Sequence, residues 1–178
     1  MTVGSSQLVF AGLVFTVIAA FGMSRQDGAT NTSIDEPAFR LTLPGHWRNK
    51  PSSDPKRWIY GSDDQEQLTV SLLGLGSGMS ANERTKMFRR LVESRKHAES
   101  DAPGLTAVTI TETAFGESGG ILAARYGGTE PAVQRRFICL MLGSTTAFMI
   151  FYYEAVGLTQ SETDARAKMI IDSVVVPK

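Results

Sequence analysis

Residues 133–155 (VQRRFICLMLGSTTAFMIFYYEA) constrain the fold of this chain more than any other stretch of its sequence. They contain two apolar runs separated by Gly143 and Ser144, a pattern that predicts two β-strands joined by a tight turn. In both runs the residues at odd positions and those at even positions are apolar, so each strand has two hydrophobic faces. Strands of this kind are usually covered on both sides. We therefore expect this hairpin to lie at the centre of a β-sheet.

Five further strands are predicted from shorter apolar patterns. In the clearest of them, Leu68, Val70 and Leu72 alternate with Thr69 and Ser71, so that one face is apolar and the other is polar. The other four show the same alternation or a short apolar run bounded by turn residues. These five strands are predicted over residues 37–44, 57–61, 67–73, 106–115 and 121–126.

Two helices are predicted, each of which begins at a capping box. Ser80 with Glu83, and Thr159 with Glu162, have the spacing at which the two side chains satisfy each other's backbone N–H groups. The first helix is predicted to end near residue 100, with one apolar face. That face consists of Met87, Phe88, Leu91 and Val92.

The predicted order of elements is three strands, a helix, four strands and a second helix. The connections among the last four strands are short, which favours antiparallel neighbours. We therefore predict an α+β fold, in which two amphipathic helices pack on a mostly antiparallel sheet of about seven strands.

The N-terminus predicts an apolar helix ahead of this domain. Residues 8–23 (LVFAGLVFTVIAAFGM) contain no charged residue, and as a helix they would be about 24 Å long. This length is shorter than the roughly 30 Å hydrocarbon core of a bilayer and is typical of the apolar part of a signal peptide. We predict that residues 1–23 are a signal peptide or a membrane anchor, that residues 24–36 are a polar linker, and that residues 37–178 form the folded domain.

The composition argues against several classes of function. The 18 basic and 18 acidic residues cancel, so the chain has no overall charge that would attract nucleic acid. The single cysteine, Cys139, can form no intramolecular disulfide and belongs to no Cys-x-x-Cys motif. His46 and His97 are not spaced as metal ligands usually are. We expect no metal site and no cofactor.

The opening of the domain and the order of its elements are similar to those of a known family. The domain begins with Phe39-x-Leu41-x-Leu43-Pro44, and Trp47 follows. Together with a helix after the third strand, a four-strand meander and a closing helix, this resembles the PsbP-like and DcrB-like small domains of bacterial envelope proteins. The resemblance implies an accessory or binding role, as in extrinsic photosystem subunits and in chaperones for hydrophobic helices of secreted toxins. It supplies no catalytic motif.

We therefore predict a non-enzymatic accessory or binding protein that is periplasmic or anchored to the outer side of the bacterial inner membrane. Its partner would be an envelope protein or a small apolar ligand, bound in a groove between the sheet and a helix. Aromatic residues with polar tips suit such a surface, and a basic helix face suits an acidic partner or lipid headgroups. The candidate residues are Trp47, Trp58, Tyr60, Arg89, Arg90 and Tyr153.

Two alternatives come from other classes of function. Cys139 could be the nucleophile of a hydrolase with His46 or His97 as its base, which requires an exposed thiolate. Its apolar neighbours in the sequence favour a structural thiol instead. The chain could also be a structural subunit that self-associates through sheet edges.

Overall fold

The computed structural model describes residues 31–62, 65–100, 109–118 and 120–176, so the predicted apolar helix at the N-terminus lies outside the described part of the chain. Within these residues the chain forms nine strands and two α-helices. Neither of these helices is long and apolar enough to cross a membrane. The elements are β1 (Thr32–Glu36), β2 (Phe39–Leu43), β3 (Arg48–Lys50), β4 (Arg57–Ser62), β5 (Glu66–Gly74), α1 (Ala81–Ser100), β6 (Thr109–Ser118), β7 (Ile121–Glu130), β8 (Arg135–Gly143), β9 (Ala147–Val156) and α2 (Gln160–Asp172).

Seven of the strands form one antiparallel sheet in the order β3-β4-β5-β9-β8-β7-β6, which confirms the predicted α+β fold. The β8–β9 hairpin is central in this sheet, as its two apolar faces predicted. Its strands pair with Cys139 opposite Tyr152, and the turn between them is closed by a hydrogen bond from the Ser144 N–H to the Ala147 carbonyl (2.9 Å).

Different elements cover the two faces of the sheet. On one face, which we call the α2 side, Phe39 and Leu41 of β2 and Ile170 of α2 share a core cluster with Phe151 and Tyr153 of β9. A bridge between Arg40 of β2 and Val175 joins the β1–β2 hairpin to the chain segment that follows α2.

On the opposite face, which we call the α1 side, a second core cluster forms under α1. Phe88 and Val92 of α1 pack with Phe148 and Ile150 of β9. The rings of Phe88 and Phe148 meet edge to face, with their centroids 5.2 Å apart. Successive residues of β8 and β9 therefore point alternately into the two clusters, as expected of a strand that is buried on both faces.

Two of the strands were not predicted. Residues 32–36 were predicted as the end of the polar linker, but they form β1 and pair with β2, with Ile34 opposite Leu41. β3 has only three residues, all of them polar, and pairs with β4 at one edge of the sheet. Neither strand has the apolar alternation by which the other strands were predicted. Both are held mainly by backbone pairing rather than by a buried face.

Both helices begin where their capping boxes predicted. The Glu83 carboxylate accepts from the Ser80 N–H (2.9 Å), and the Glu162 carboxylate accepts from the Thr159 N–H (2.9 Å). The predicted apolar face of α1 is partly wrong, because Met87 points outward and is 44% exposed. Its place on the sheet-facing side is taken by Arg84, which is buried.

Candidate functional site

The four aromatic residues predicted to line a groove lie together, but inside the protein. The rings of Trp47 and Tyr153 stack with centroids 6.2 Å apart, and Trp58 meets Phe39 edge to face at 5.2 Å. Trp47 is 6% exposed, and Tyr60 and Tyr153 are buried more deeply. Trp47, Tyr60 and Tyr153 belong to the core cluster of the α2 side, and the half-buried Trp58 packs against it, so these residues stabilise the fold and have little surface to offer a ligand.

The two tyrosine hydroxyls of this group are hydrogen-bonded inside the protein, whereas the buried indole N–H of Trp47 has no acceptor among the described residues. The Tyr153 hydroxyl donates to Glu66 Oε1 (2.7 Å), and Arg166 Nε lies 3.4 Å from the same oxygen. The Tyr60 hydroxyl donates to Glu36 (3.4 Å). Burial, together with the charge of Glu36, raises the pKa of Tyr60 to about 12. The hydroxyl groups that suggested a binding surface therefore donate to the buried carboxylate of Glu66 and the partly buried one of Glu36.

Arg89 and Arg90 lie on α1, on the opposite side of the sheet from the four aromatic residues. Both are exposed. The guanidinium carbon of Arg89 lies 3.9 Å from the centroid of the Phe115 ring, a cation–π contact. The six predicted residues therefore do not share one surface. The sequence could not reveal this, because it does not show which face of the sheet each helix covers.

Cys139 does not have the properties of a nucleophile. It is fully buried in the core of the α1 side, and burial raises the pKa of its thiol to about 11. His46 and His97 are both exposed. The hydrolase alternative therefore lacks the accessible thiolate that it requires. Among the described residues, no group of three or more His, Cys, Asp or Glu side chains is placed to hold a metal ion.

A polar cavity of about 300 Å³ lies on the α1 side, between the C-terminal half of α1 and the strands β4, β5, β8 and β9. We call it the arginine cavity. It forms where α1 leaves the polar face of β5 uncovered, the face that carries Thr69 and Ser71. Its lining consists of Arg57, Gln67, Thr69, Ser71, Arg95, Glu99, Arg135, Ile150, Tyr152 and Glu154.

One of these arginines, Arg135, is held in place by three carboxylates from three different elements. Its Nε lies 3.0 Å from Glu130 of β7, its Nη1 lies 3.2 Å from Glu154 of β9, and its Nη2 lies 3.3 Å from Glu99 of α1. Nη1 also donates to the Tyr152 hydroxyl (3.0 Å). Arg135 therefore forms a rigid wall of the cavity and joins the end of α1 to the sheet.

The other two arginines of the cavity are not engaged in this way. Neither Arg57 nor Arg95 has an ion-pair partner among the residues that the structure describes. The Nε of Arg95 is buried and has no hydrogen-bond acceptor within the described part of the chain. A buried donor without an acceptor is costly, so the protein does not fully satisfy the guanidinium group of Arg95.

The arrangement is suited to binding rather than to covalent catalysis. The cavity offers guanidinium, hydroxyl and amide groups, together with the carboxylates of Glu99 and Glu154, which pair with Arg135. Its lining includes no cysteine and no histidine. The sequence did not predict this site, because its three arginines are far apart in the chain. The polar face of β5 was the only sign of it.

A second, apolar depression of about 230 Å³ lies on the α2 side, at the end of the sheet near the β8–β9 turn. Leu72, Leu142 and Met149 of the sheet form much of its surface, and Pro37 and Val176 lie at its borders. None of the predicted aromatic residues lines it.

Comparison with solved structures places this chain among proteins of similar architecture. It is similar to the cyanobacterial PsbP protein CyanoP from Synechocystis sp. PCC 6803, with a TM-score of 0.63 and 11% identity over 89% of this chain and 98% of that one. It is also similar to LpqN, a Mycobacterium tuberculosis protein involved in cell envelope biogenesis, with a TM-score of 0.52 and 15% identity over 86% of this chain and 94% of that one.

These similarities concern the fold, because both identities are low. No protein-family model matches the sequence, and no curated protein matches it significantly. The similarity to DcrB-like domains stays a prediction. The chain therefore has a PsbP-like fold.

Proposed function

We propose that this chain is a non-enzymatic binding protein of the bacterial envelope, which residues 8–23 export or anchor to the outer side of the inner membrane. Three observations support this placement: the uncharged N-terminal run, the PsbP-like fold, and the similarity to a protein involved in cell envelope biogenesis. Fractionation of cells that express the full chain tests it. Recovery in the periplasm with a shortened N-terminus indicates a cleaved signal peptide, recovery in alkali-washed membranes indicates an anchor, and recovery in the cytoplasm contradicts the proposal.

The arginine cavity is the proposed binding site, and its ligand carries an acidic oxygen group, such as a carboxylate or a phosphate. The observation that carries this proposal is that Arg57 and Arg95 both line the cavity without an ion-pair partner among the described residues. Two guanidinium groups free of ion pairs are therefore available to one ligand. Hydrogen bonds between guanidinium and an oxyanion are strong, since both partners are charged.

Calorimetry on the full chain tests this site, with inorganic phosphate and succinate as probes. We expect Arg95→Met to weaken binding of the better probe by about tenfold or more, because a charged hydrogen bond contributes about 1.5–3 kcal/mol. Arg125→Met is a matched control, because Arg125 also has a buried Nε without an acceptor but does not line the cavity. Equal losses in the two variants would contradict the proposed site.

A second variant tests whether the cavity itself is needed for binding, without removing any of its positive charges. Ser71→Trp fills the cavity and leaves all three arginines in place, so we expect it to abolish binding while the protein stays folded. If Ser71→Trp binds both probes normally, the acidic group is recognised elsewhere on the protein.

The apolar depression on the α2 side supports a second candidate, binding of a small apolar ligand. Native mass spectrometry of the chain purified from the envelope tests it, since a bound lipid or other apolar molecule adds mass. We expect Leu142→Asp to remove such a mass and Ser71→Trp to keep it. A mass that responds only to Ser71→Trp assigns the ligand to the arginine cavity instead.

Self-association through sheet edges also stays a proposal. The two edges of the sheet differ, because β3 has three residues and β6 has ten. A long edge strand is where a second chain could pair. A mass that rises with concentration in light scattering would support self-association, and a constant monomer mass would contradict it.

A further inference from the structure

The outward face of α1 carries a compact group of cations beside exposed apolar side chains. It is formed by Lys86, Met87, Arg89 and Arg90 of α1 and by Phe115 of the edge strand β6, and we call it the basic patch. Met87 is 44% exposed and Phe115 is 37% exposed. Arg89 lies over the Phe115 ring, so the cationic and apolar parts of the patch are in direct contact.

The cations of the patch are not neutralised by the helix that carries them. Glu83 accepts hydrogen bonds from Ser80 at the helix start, and Glu93 pairs with Lys96 at 3.1 Å. Lys86, Arg89 and Arg90 have no ion-pair partner among the described residues. Three positive charges within two turns of helix therefore face solvent without a matching negative charge.

We propose that the basic patch docks on the surface of a membrane that contains anionic lipids. Cationic side chains at such a surface are attracted to the headgroups, and each of them adds to the binding. Apolar side chains next to them enter the boundary between headgroups and acyl chains. Around the helix, Lys86 and Arg90 lie between Met87 on one flank and Arg89 with Phe115 on the other. Cations flanked by apolar side chains favour a lipid surface over an acidic protein.

The distance between the patch and the N-terminal segment is compatible with this docking. β1 and α1 lie on opposite sides of the sheet, so two packed layers of about 10 Å each separate them. The eight residues 24–31 connect the apolar run to the residues just before β1, and when extended they span about 27 Å. A chain whose residues 8–23 lie in the bilayer therefore keeps the start of β1 within about 27 Å of that membrane, which raises the effective concentration of α1 near its surface.

A fluorescent probe on the patch tests docking directly. The native thiol of Cys139 is buried, so a cysteine introduced by Met87→Cys can be labelled selectively with a polarity-sensitive dye. The labelled full chain is mixed with phosphatidylcholine vesicles that contain no or about 30% phosphatidylglycerol. We expect the emission to shift to the blue only with the anionic vesicles. The same dye at Lys168→Cys, on the outward face of α2, should not respond.

Insertion of residues 8–23 alone does not produce this result, because it occurs in both kinds of vesicle and leaves the dye at position 87 in water. No shift in anionic vesicles would overturn the proposal, as would an equal shift in neutral vesicles.

Charge reversal tests whether the cations drive docking. On the Met87→Cys background, Lys86→Glu with Arg90→Glu should lower the ratio of docked to undocked protein by more than about 30-fold. Loss of the two cations alone accounts for about 30-fold, because each contributes about fivefold at a membrane surface, and the two new carboxylates are repelled. Lys56→Glu with Lys168→Glu changes the net charge of the protein equally but lies outside the patch, and should leave docking within about twofold of the unmodified protein. Equal losses in the two double variants would overturn the role of the patch.

Discussion

The two sides of the central sheet are built from different kinds of residue. On the α2 side, α2 and the β1–β2 hairpin cover a continuous aromatic and aliphatic core. The tyrosine hydroxyls of this core donate hydrogen bonds to Glu36 and Glu66. On the α1 side, α1 contributes Phe88 and Val92 to a smaller core, and its last turns rest on charged groups of the sheet. A mostly polar helix cannot seal a sheet, so a cavity stays open beside it. The comparison teaches that the larger apolar core lies on the α2 side, whereas the arginine cavity and the basic patch, two of the proposed binding surfaces, lie on the α1 side.

The largest effect that we expect comes from the core of the α2 side. Phe151 is buried at the centre of the sheet and meets Phe39 edge to face at 5.7 Å. Phe151→Ala should lower the free energy of unfolding by about 3–5 kcal/mol, because it removes a large buried side chain and leaves a cavity. Urea denaturation followed by circular dichroism measures this value. A loss below 1 kcal/mol would show that the α2 side is not the stabilising one.

The next effect concerns the charged contact between α1 and the sheet. Arg135→Met leaves Glu99, Glu130 and Glu154 without their shared cation, and Glu130 is almost fully buried. We expect a loss of about 3 kcal/mol in the free energy of unfolding. Adding Glu130→Gln to Arg135→Met should recover part of it, because the buried carboxylate is then neutral. If Arg135→Met is as stable as the unmodified protein, these ion pairs do not hold α1 on the sheet.

A smaller effect depends on pH and concerns Tyr60 of the α2 side. Folding raises the pKa of Tyr60 to about 12 from the ordinary tyrosine value of about 10, so the unfolded chain loses this proton first as the pH rises. The contribution of Tyr60 to stability is therefore complete below pH 10 and is lost between pH 10 and about 12. Tyr60→Phe should flatten this part of the stability curve, measured by urea denaturation at several pH values. Thr69→Ala, on the cavity floor, is the control and should leave the slope unchanged.

The smallest effect is expected on the floor of the arginine cavity. Ser71 lines this cavity and is only partly buried, so Ser71→Ala should change the free energy of unfolding by less than about 0.5 kcal/mol. The same urea denaturation measures it. A loss above about 2 kcal/mol would show that the cavity floor is structural, and would remove the contrast between the two sides.

The site was harder to predict than the fold, and particular residues show why. Trp47 and Tyr153 are aromatic residues with polar tips, which occur both in binding surfaces and in cores, and only their packing distinguishes the two cases. Arg57, Arg95 and Arg135 carry no shared motif. They meet because β4, α1 and β8 surround the same part of the sheet, which depends on pairings between distant strands such as β5 with β9.

The sequence by itself determined the features that arise from local physical chemistry. The two apolar faces of β8 and β9 require cover on both sides, and the capping boxes at Ser80 and Thr159 start the helices through hydrogen bonds within one turn. Only the tertiary structure decided which helix covers which face, whether β1 and β3 form, and where the arginines meet. These features depend on contacts between residues that are far apart in the chain. The energies of such contacts cannot be predicted from a short stretch of sequence.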